Sequence, residues 1–344
     1  MPITARTATS FQNHGAVLAT WLAIMPEGPE VRRYAVQLAS ALDNQPLLEI
    51  SARTKGAKAF LLERGESLQG RKILQIRSHG KHLFGQFEGE VGFHSHLMMW
   101  GRWFVYPGDE IHEIDRRERA RIVTPAAFAI LFSAPIFEMF EGDPYAKIEN
   151  LATLGPDILP YDGEFNRAEW ERRLKQNENL EREIGAVLLD QRVCAGIGNY
   201  LRADLLFFCK IDPWKRVGAL SDDEINRLSS EIPLIARRAF EGQGISVPPA
   251  MRDRLLGENA LSYGDGIREF AARHAVFRRT NLPCLECGGP IKQKQQVTYR
   301  TPDGDSENEP GDEKSRTIYF CPQCQNVDLN SLQTPKKKRA KPPK

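Results

Sequence analysis

Four of the chain's cysteines fall into two C-x-x-C pairs, Cys284/Cys287 and Cys321/Cys324. No other feature narrows the fold so far. "GGPIKQKQQVTYRT" follows the first pair and "RTIYF" precedes the second, so two strands each carry a cysteine pair at their base. That arrangement brings four thiolates together tetrahedrally, as a zinc ribbon requires. A site closed by four protein ligands holds the fold and leaves no position open for chemistry, so one structural zinc and no catalytic metal are expected. Cys194 and Cys209 stand alone. Paired cysteines without a secretion signal speak for metal rather than disulfides, and hence for a reducing, intracellular compartment. Lys292, Lys294 and Arg316 on the two strands are placed to meet phosphates or simply to solvate the hairpin.

At 344 residues the chain has room for two or three domains. A net charge of only +2 means that any basic footprint for nucleic acid must be local. No apolar run approaches the roughly 20 residues of a membrane span, so no membrane partner is expected. Before Met25 there is one basic residue, Arg6, and a short apolar stretch from Ala16 to Ile24. Both a secretory signal and an organellar transit peptide need more than that.

Val31, Tyr34, Ala35, Leu38 and Leu42 recur at helical spacing, and Pro29 suits the first helical turn, where its missing N–H costs nothing. After "DNQP" the pattern turns to strands. "KILQIRS", "KHLFGQFEG", "VGFHSHLMMWGRWFVY" and "ARIVTPAAFAILFSAPIFEMF" alternate or run apolar between breaks. "LGPDIL" at 154–159 reads as a linker. Helical runs follow in "RAEWERRLKQ", "REIGAVLLDQ", "NYLRADLLFFCK" and "SDDEINRLSSEIPLIARRAF", the last opened by a Ser221/Glu224 capping box. Residues 241–270 are punctuated by Gly and Pro and give no clear element.

The expected fold is therefore α+β and multidomain. An extension, 1–24, precedes an N-terminal helix plus β-sandwich at 25–150. A helical domain at 151–275 and a zinc-ribbon β-hairpin at 276–326 follow. The hairpin carries an acidic insertion at 302–315, and a basic tail at 327–344, expected to be disordered, ends the chain.

In "DQRVCAGIGNYLRADLLF" a glycine-bearing turn separates two helical runs. Gly196 and Gly198 permit positive φ or close approach of another backbone. Asn199 would open the second helix, whose N-terminal N–H groups attract a phosphate. Taken with "MPEGPEVRR", "GKHLF" and the C-x-x-C hairpin, in that order, the string resembles the formamidopyrimidine-DNA glycosylase/endonuclease VIII family over roughly residues 25–325. "GPEVRR", "LGPDIL" and "GNYLR" are more similar to the endonuclease VIII branch. Residues 241–270 do not resemble the loop by which the other branch holds oxidised guanine.

The resemblance implies a helix–two-turns–helix domain, a cleft for damaged DNA between the domains, and excision of oxidised bases, pyrimidines by the branch. It implies a monomer at work on DNA inside the cell, in bacterial cytoplasm and nucleoid or in a nucleus. Pro26 would attack the sugar with its amine, and the resulting Schiff base would allow strand cleavage. Glu27 would be the general acid, which needs burial or a bound phosphate to raise its pKa against the helix dipole. Glu30 matches a second family carboxylate. Lys81, Asn199 and Arg316 match phosphate contacts around the flipped nucleotide. Met98, Met99 and Trp100 match the loop that fills the gap left by the base, and apolar side chains are what stacked bases accept there.

In the sequence as written Pro26 follows Met25, so its nitrogen is an amide with a delocalised lone pair and cannot attack. The expectation is that Pro26 becomes the first residue, either because translation starts at Met25 or because the extension is removed. The alternative is a non-catalytic module that binds damaged DNA with residues 1–25 retained.

Overall fold

The computed structural model describes residues 26–110, 112, 115–257, 272–300 and 313–332. The extension 1–24, residues 302–312 of the acidic insertion, 333–344 of the tail and 258–270 of the Gly/Pro-punctuated stretch lie outside the described residues.

The first helix, α1 (Gly28–Leu42), buries Val31, Ala35, Leu38 and Leu42, the stripe that the spacing of apolar residues demands. Next come β1 (Glu49–Ala52) and α2 (Lys55–Arg64). Neither was foreseen. Of α2 only Ala57 is fully buried, with Phe60 and Leu61 partly so, a stripe too short to stand out as a helix. The strands β2 (Ile73–His79), β3 (His82–Phe87), β4 (Val91–His96), β5 (Arg102–Pro107), β6 (Glu118–Val123), β7 (Ala127–Phe132) and β8 (Ile136–Glu141) complete the N-terminal part. They form two antiparallel sheets, ordered β2-β3-β4-β8 and β1-β6-β7-β5. Phe87, Phe93, Trp103 and Phe137 fill the space between the sheets, and α1 packs into the same core. The expected sandwich is present.

The second part holds α3 (Pro144–Lys147), α4 (Arg167–Leu174), α5 (Asn177–Leu180), α6 (Ile184–Val187), α7 (Asn199–Phe208), α8 (Asp222–Glu241) and α9 (Pro249–Gly257). The run "REIGAVLLDQ" makes only the single turn of α6. Asp190 then turns the chain, its carboxylate accepting from the backbone N–H of Arg192 and the guanidinium groups of Arg182 and Arg192. "LGPDIL" is no free linker, because Leu154 and Ile158 are buried. Asp157 within it accepts from the backbone N–H of Gly80 at 3.0 Å, across to the sandwich. Phe84 and Phe140 of the sandwich share a small apolar cluster with Ile148, Leu151, Leu154 and Ala195, which joins the two parts.

The last part is an antiparallel hairpin of β9 (Lys292–Arg300) and β10 (Glu313–Phe320), with Gln296 opposite Arg316. The final residues assigned to the acidic insertion, Glu313 to Ser315, already belong to β10. Ile291, Ile318 and Phe320 pack into one core with Ala203 and Phe207 of α7, and Val327 is buried there too. Helix α7 thus carries the sandwich at its N-terminus and the hairpin on its flank.

Candidate active site

The turn at Gly196-Ile197-Gly198 is where the parts meet. Gly196 has φ +110, and a Cβ on Gly28 would stand 2.9 Å from its Cα, so two glycine backbones touch where side chains could not fit. The Gly28 N–H donates to the Gly196 carbonyl at 2.9 Å. Gln191 braces the turn, accepting from the Gly196 N–H and donating to the Ile197 carbonyl, each at 2.9 Å.

Glu27 immediately precedes α1 and is buried, with 2 % of its surface exposed. Its carboxylate reaches the N-terminus of α7 and accepts from the backbone N–H groups of Gly198 (2.8 Å), Tyr200 (2.9 Å) and Leu201 (3.2 Å). These are donors that a helix end leaves without intrahelical partners. A Cβ on Gly198 would lie 2.3 Å from the Glu27 Cδ, so that glycine makes room for the carboxylate. The helix end that the sequence offered to a phosphate is therefore filled by Glu27. Burial pushes the Glu27 carboxyl up to about 8, and the neighbouring charge of Glu30 adds to the rise. Lys81 and the backbone N–H groups of Tyr200 and Leu201 oppose it. Burial, one of the two causes an acid role would require, is in place.

Glu30, two residues into α1, accepts from the Glu27 N–H at 2.9 Å and from the Tyr200 hydroxyl at 2.9 and 3.2 Å. Burial raises its carboxyl, against the pull of those donors. Lys81 lies in the β2–β3 turn and donates through Nζ to the Ile197 carbonyl at 2.7 Å. Burial lowers its ammonium below the ordinary lysine value, with Glu27 opposing. Pro26 stands at the edge of this cluster, half-buried.

Asn199 lies in the seam between α7 and the hairpin with both ends of its amide engaged. Its Nδ2 donates to the Thr317 carbonyl at 2.9 Å, and its Oδ1 accepts from Arg202 at 2.6 Å. Arg202 is fully buried and also donates to the carbonyls of Gly185 and Thr317 and to Gln296. Arg316, next to Thr317 on β10, is exposed. Met98, Met99 and Trp100 form the tip between β4 and β5, exposed by 50, 46 and 58 %. Met98 takes φ +51, and its N–H donates to His96 Nδ1 at 3.2 Å. Three adjacent large apolar side chains held in water fit a contact surface better than a core.

The four cysteine sulfurs lie within 4.8 Å of one another. Across the pairs, Cys284 and Cys324 are 3.7 Å apart and Cys287 and Cys321 3.4 Å. A tetrahedral thiolate site with a metal–sulfur bond of about 2.3 Å has edges of about 3.8 Å, so the cluster fits a metal ion of that kind.

Sequence reading missed Tyr200, Gln191, Arg202 and the role of Asp204. Asp204 is buried on α7 and accepts from the backbone N–H groups of Ala275, Val276 and Phe277 at 2.9–3.1 Å, and from Ser246 and His274. Burial disfavours its charge, yet His274, Ser246 and the backbone hold its carboxyl below the ordinary range. All four residues lie within or beside the string quoted above, but nothing in their spacing names a partner.

Residues 25–133 match the formamidopyrimidine-DNA glycosylase N-terminal domain, and residues 154–248 match the H2TH domain of the same enzymes. Endonuclease 8 of Enterobacter sp. (strain 638) is 29% identical over 301 residues, which are 88% of this chain and 100% of that protein. Endonuclease 8 of Salmonella enteritidis PT4 matches to the same extent. Among solved structures, Lactococcus lactis Fpg (MutM) with DNA containing N7-benzyl-Fapy-dG superposes with a TM-score of 0.65 at 21% identity, covering 88% of this chain and 100% of that one. MutM with DNA containing carbocyclic 8-oxo-G gives 0.65 at 22%, with the same coverage. With both domains matched in order, the shared fold, and relatives aligned along their whole length, the chain belongs to the formamidopyrimidine-DNA glycosylase/endonuclease VIII family, on its endonuclease VIII branch.

Proposed function

We propose that the chain is a base-excision-repair DNA glycosylase with abasic-site lyase activity, acting on oxidised pyrimidines through a Schiff base on Pro26. The observation that carries this reading is the seating of Glu27. A buried carboxyl, raised to about 8, follows directly on Pro26 at the junction of two domains. A carboxylic acid that keeps its proton at neutral pH can pass it to the ring oxygen of a deoxyribose as the sugar opens. The amine of a free Pro26, with an α-amino pKa of about 8, has a useful neutral fraction at pH 7 for attack on C1′.

Lys81, Asn199 and Arg316 would meet the phosphates on either side of a nucleotide turned out of the stack. For Asn199 this requires exchanging at least one of its two present hydrogen bonds. Met98, Met99 and Trp100 would enter the vacated space between bases. Cys284, Cys287, Cys321 and Cys324 would hold one zinc ion, which supplies stability to the hairpin and no chemistry. The protein would work as a monomer on DNA inside the cell. Among the described residues no helix is long and apolar enough to cross a membrane.

The test is borohydride trapping on duplex DNA with an abasic site or an oxidised pyrimidine. The full chain is compared with a chain started at Met25, whose Met is removed. The expected result is a covalent adduct with the shorter chain that blocking the α-amine abolishes, that Pro26→Gly weakens, and that Lys81→Ala leaves attached at the N-terminus. If neither form traps DNA while both bind it, the glycosylase reading fails. The non-catalytic damaged-DNA-binding module, favoured by the amide nitrogen at Pro26 in the full chain, then stands in its place.

A further inference from the structure

Tyr200 touches both site carboxylates from the far side of the domain seam. Its backbone N–H donates to Glu27 Oε1, and its hydroxyl donates to both oxygens of Glu30. Glu30 Oε2 in turn accepts the N–H of Glu27, which is half of the peptide unit joining Glu27 to Pro26. The phenol thus sits at the end of a short chain: Tyr200 hydroxyl, Glu30 carboxylate, Glu27 amide, Pro26.

The ring is not free to move. Tyr200 is buried, with 1 % exposed, and its ring packs against His274 at 5.0 Å between centroids and against Phe277 at 6.2 Å. His274 is itself fixed from behind, its Nδ1 lying 2.8 Å from the Ser246 hydroxyl and 3.3 Å from Asp204. Burial and the two nearby carboxylates keep the phenol protonated, so it acts as donor throughout the working pH range. Glu30 cannot serve its two donors in two places at once. Without the hydroxyl, its carboxylate has one anchor in place of two, and the peptide behind Pro26 loses part of its restraint.

We infer that Tyr200 is a positioning residue for the reaction: its hydroxyl holds Glu30, and Glu30 holds the peptide unit that sets the direction of the Pro26 ring and the Glu27 side chain. The inference deepens the proposed function and rests on it, since a nucleophile at Pro26 is what the chain of bonds aims. A misplacement of about 1 Å at a reacting atom costs on the order of 100-fold in rate, so the loss of one anchor has room to show.

The experiment uses whichever form of the protein, full chain or chain started at Met25, traps abasic-site DNA in the wild type. If neither traps, the functional reading has failed and Tyr200 has not been at issue. Tyr200→Phe, Glu30→Gln and the double variant are compared by single-turnover trapping rate from pH 5 to 9, by affinity for the same DNA, and by thermal melting. Tyr200→Phe is expected to lower the trapping rate by about 10- to 100-fold while DNA affinity stays within about 3-fold. Its pH–rate profile should shift to higher pH, because Glu30 has lost a donor that favours its ionised form. In the double variant the losses should be far from additive, since both changes break the same chain. Additive losses, an unmoved pH profile, or a fall in affinity and melting temperature that accounts for the rate would each overturn the assignment.

Discussion

Helices α7 and α8 each have their N-terminus closed by a glutamate carboxylate, and the two glutamates behave in opposite ways. At the start of α8, Glu224 donates its services locally. Its carboxylate accepts from the Ser221 N–H at 2.8 Å, Ser221 returns a bond to the Glu224 N–H, and Lys215 pairs with the same carboxylate. Ser221 is exposed, and although partial burial pulls the other way, Lys215 and Ser221 hold the Glu224 carboxyl below its ordinary range. At the start of α7 the carboxylate comes from Glu27, 171 residues before Gly198. Burial drives its carboxyl up to about 8. The electrical demand of the two helix ends is the same. What differs is where the answer comes from. A local cap steadies one helix, whereas a cap brought from another domain joins domains and turns a carboxylate into an acid.

The largest break in this comparison comes from Glu27→Ala. It leaves three buried backbone N–H groups without partners, each worth roughly 1–3 kcal/mol, so destabilisation of at least about 3 kcal/mol is predicted in urea unfolding. An effect no greater than that of an exposed cap would mean that water replaces the carboxylate and that the seam is not sealed.

The pH dependence of stability sharpens the contrast. A carboxyl raised in the folded state binds more protons there than in the unfolded chain between its unfolded value and about 8. Its contribution is therefore full below the unfolded pKa and is lost as pH rises through about 8. Glu224, lowered in the folded state, contributes above its unfolded value and loses that contribution as the solution is acidified. Melting temperatures across pH 4–9 should show Glu27→Gln removing part of the decline on the alkaline side. Glu224→Gln should flatten only the acid side, and identical slopes for the two variants would erase the distinction.

Gly198→Ala tests the same contact from the other partner. A Cβ 2.3 Å from the Glu27 Cδ forces the carboxylate off the helix end, at a predicted cost of about 2 kcal/mol. Trapping activity should fall with it, and a variant with wild-type stability and activity would show that the seam yields. The smallest effect belongs to Ser221→Ala, about 1 kcal/mol with activity unchanged, as read by thermal melting and by the trapping assay.

Much of the fold was legible because it rests on local pattern. The stripe of Val31, Ala35, Leu38 and Leu42 announced α1, alternation announced most strands of the sandwich, and the spacing of Ser221 and Glu224 announced a cap that the structure shows bond for bond. Helix α2 was missed for the complementary reason, since Ala57, Phe60 and Leu61 make an inward face of a single turn, too short a pattern to read. The site divides along the same line. The motifs drew attention to Pro26, Glu27, Glu30 and Lys81, and the structure gathers Glu27, Glu30 and Lys81 against one turn. They did not say that Glu27 would close α7, that Asn199 would already be bonded to Thr317 and Arg202, or that Tyr200 would bridge two carboxylates.

The sequence by itself determined which residues could ligate a metal, where α1, α8 and most strands of the sandwich would form, and which family motifs the chain carries. Those properties depend on residue type and on spacing over a few positions. Tertiary structure alone decided that Glu27 is desolvated, that Lys81 turns to the Ile197 carbonyl, and that Asp204 collects three backbone donors from 275–277. The physical reason is that solvation and partner choice are set by what the folded chain brings within hydrogen-bond distance. Glu27 and Gly198 stand 171 positions apart in the sequence, and the fold leaves 2.8 Å.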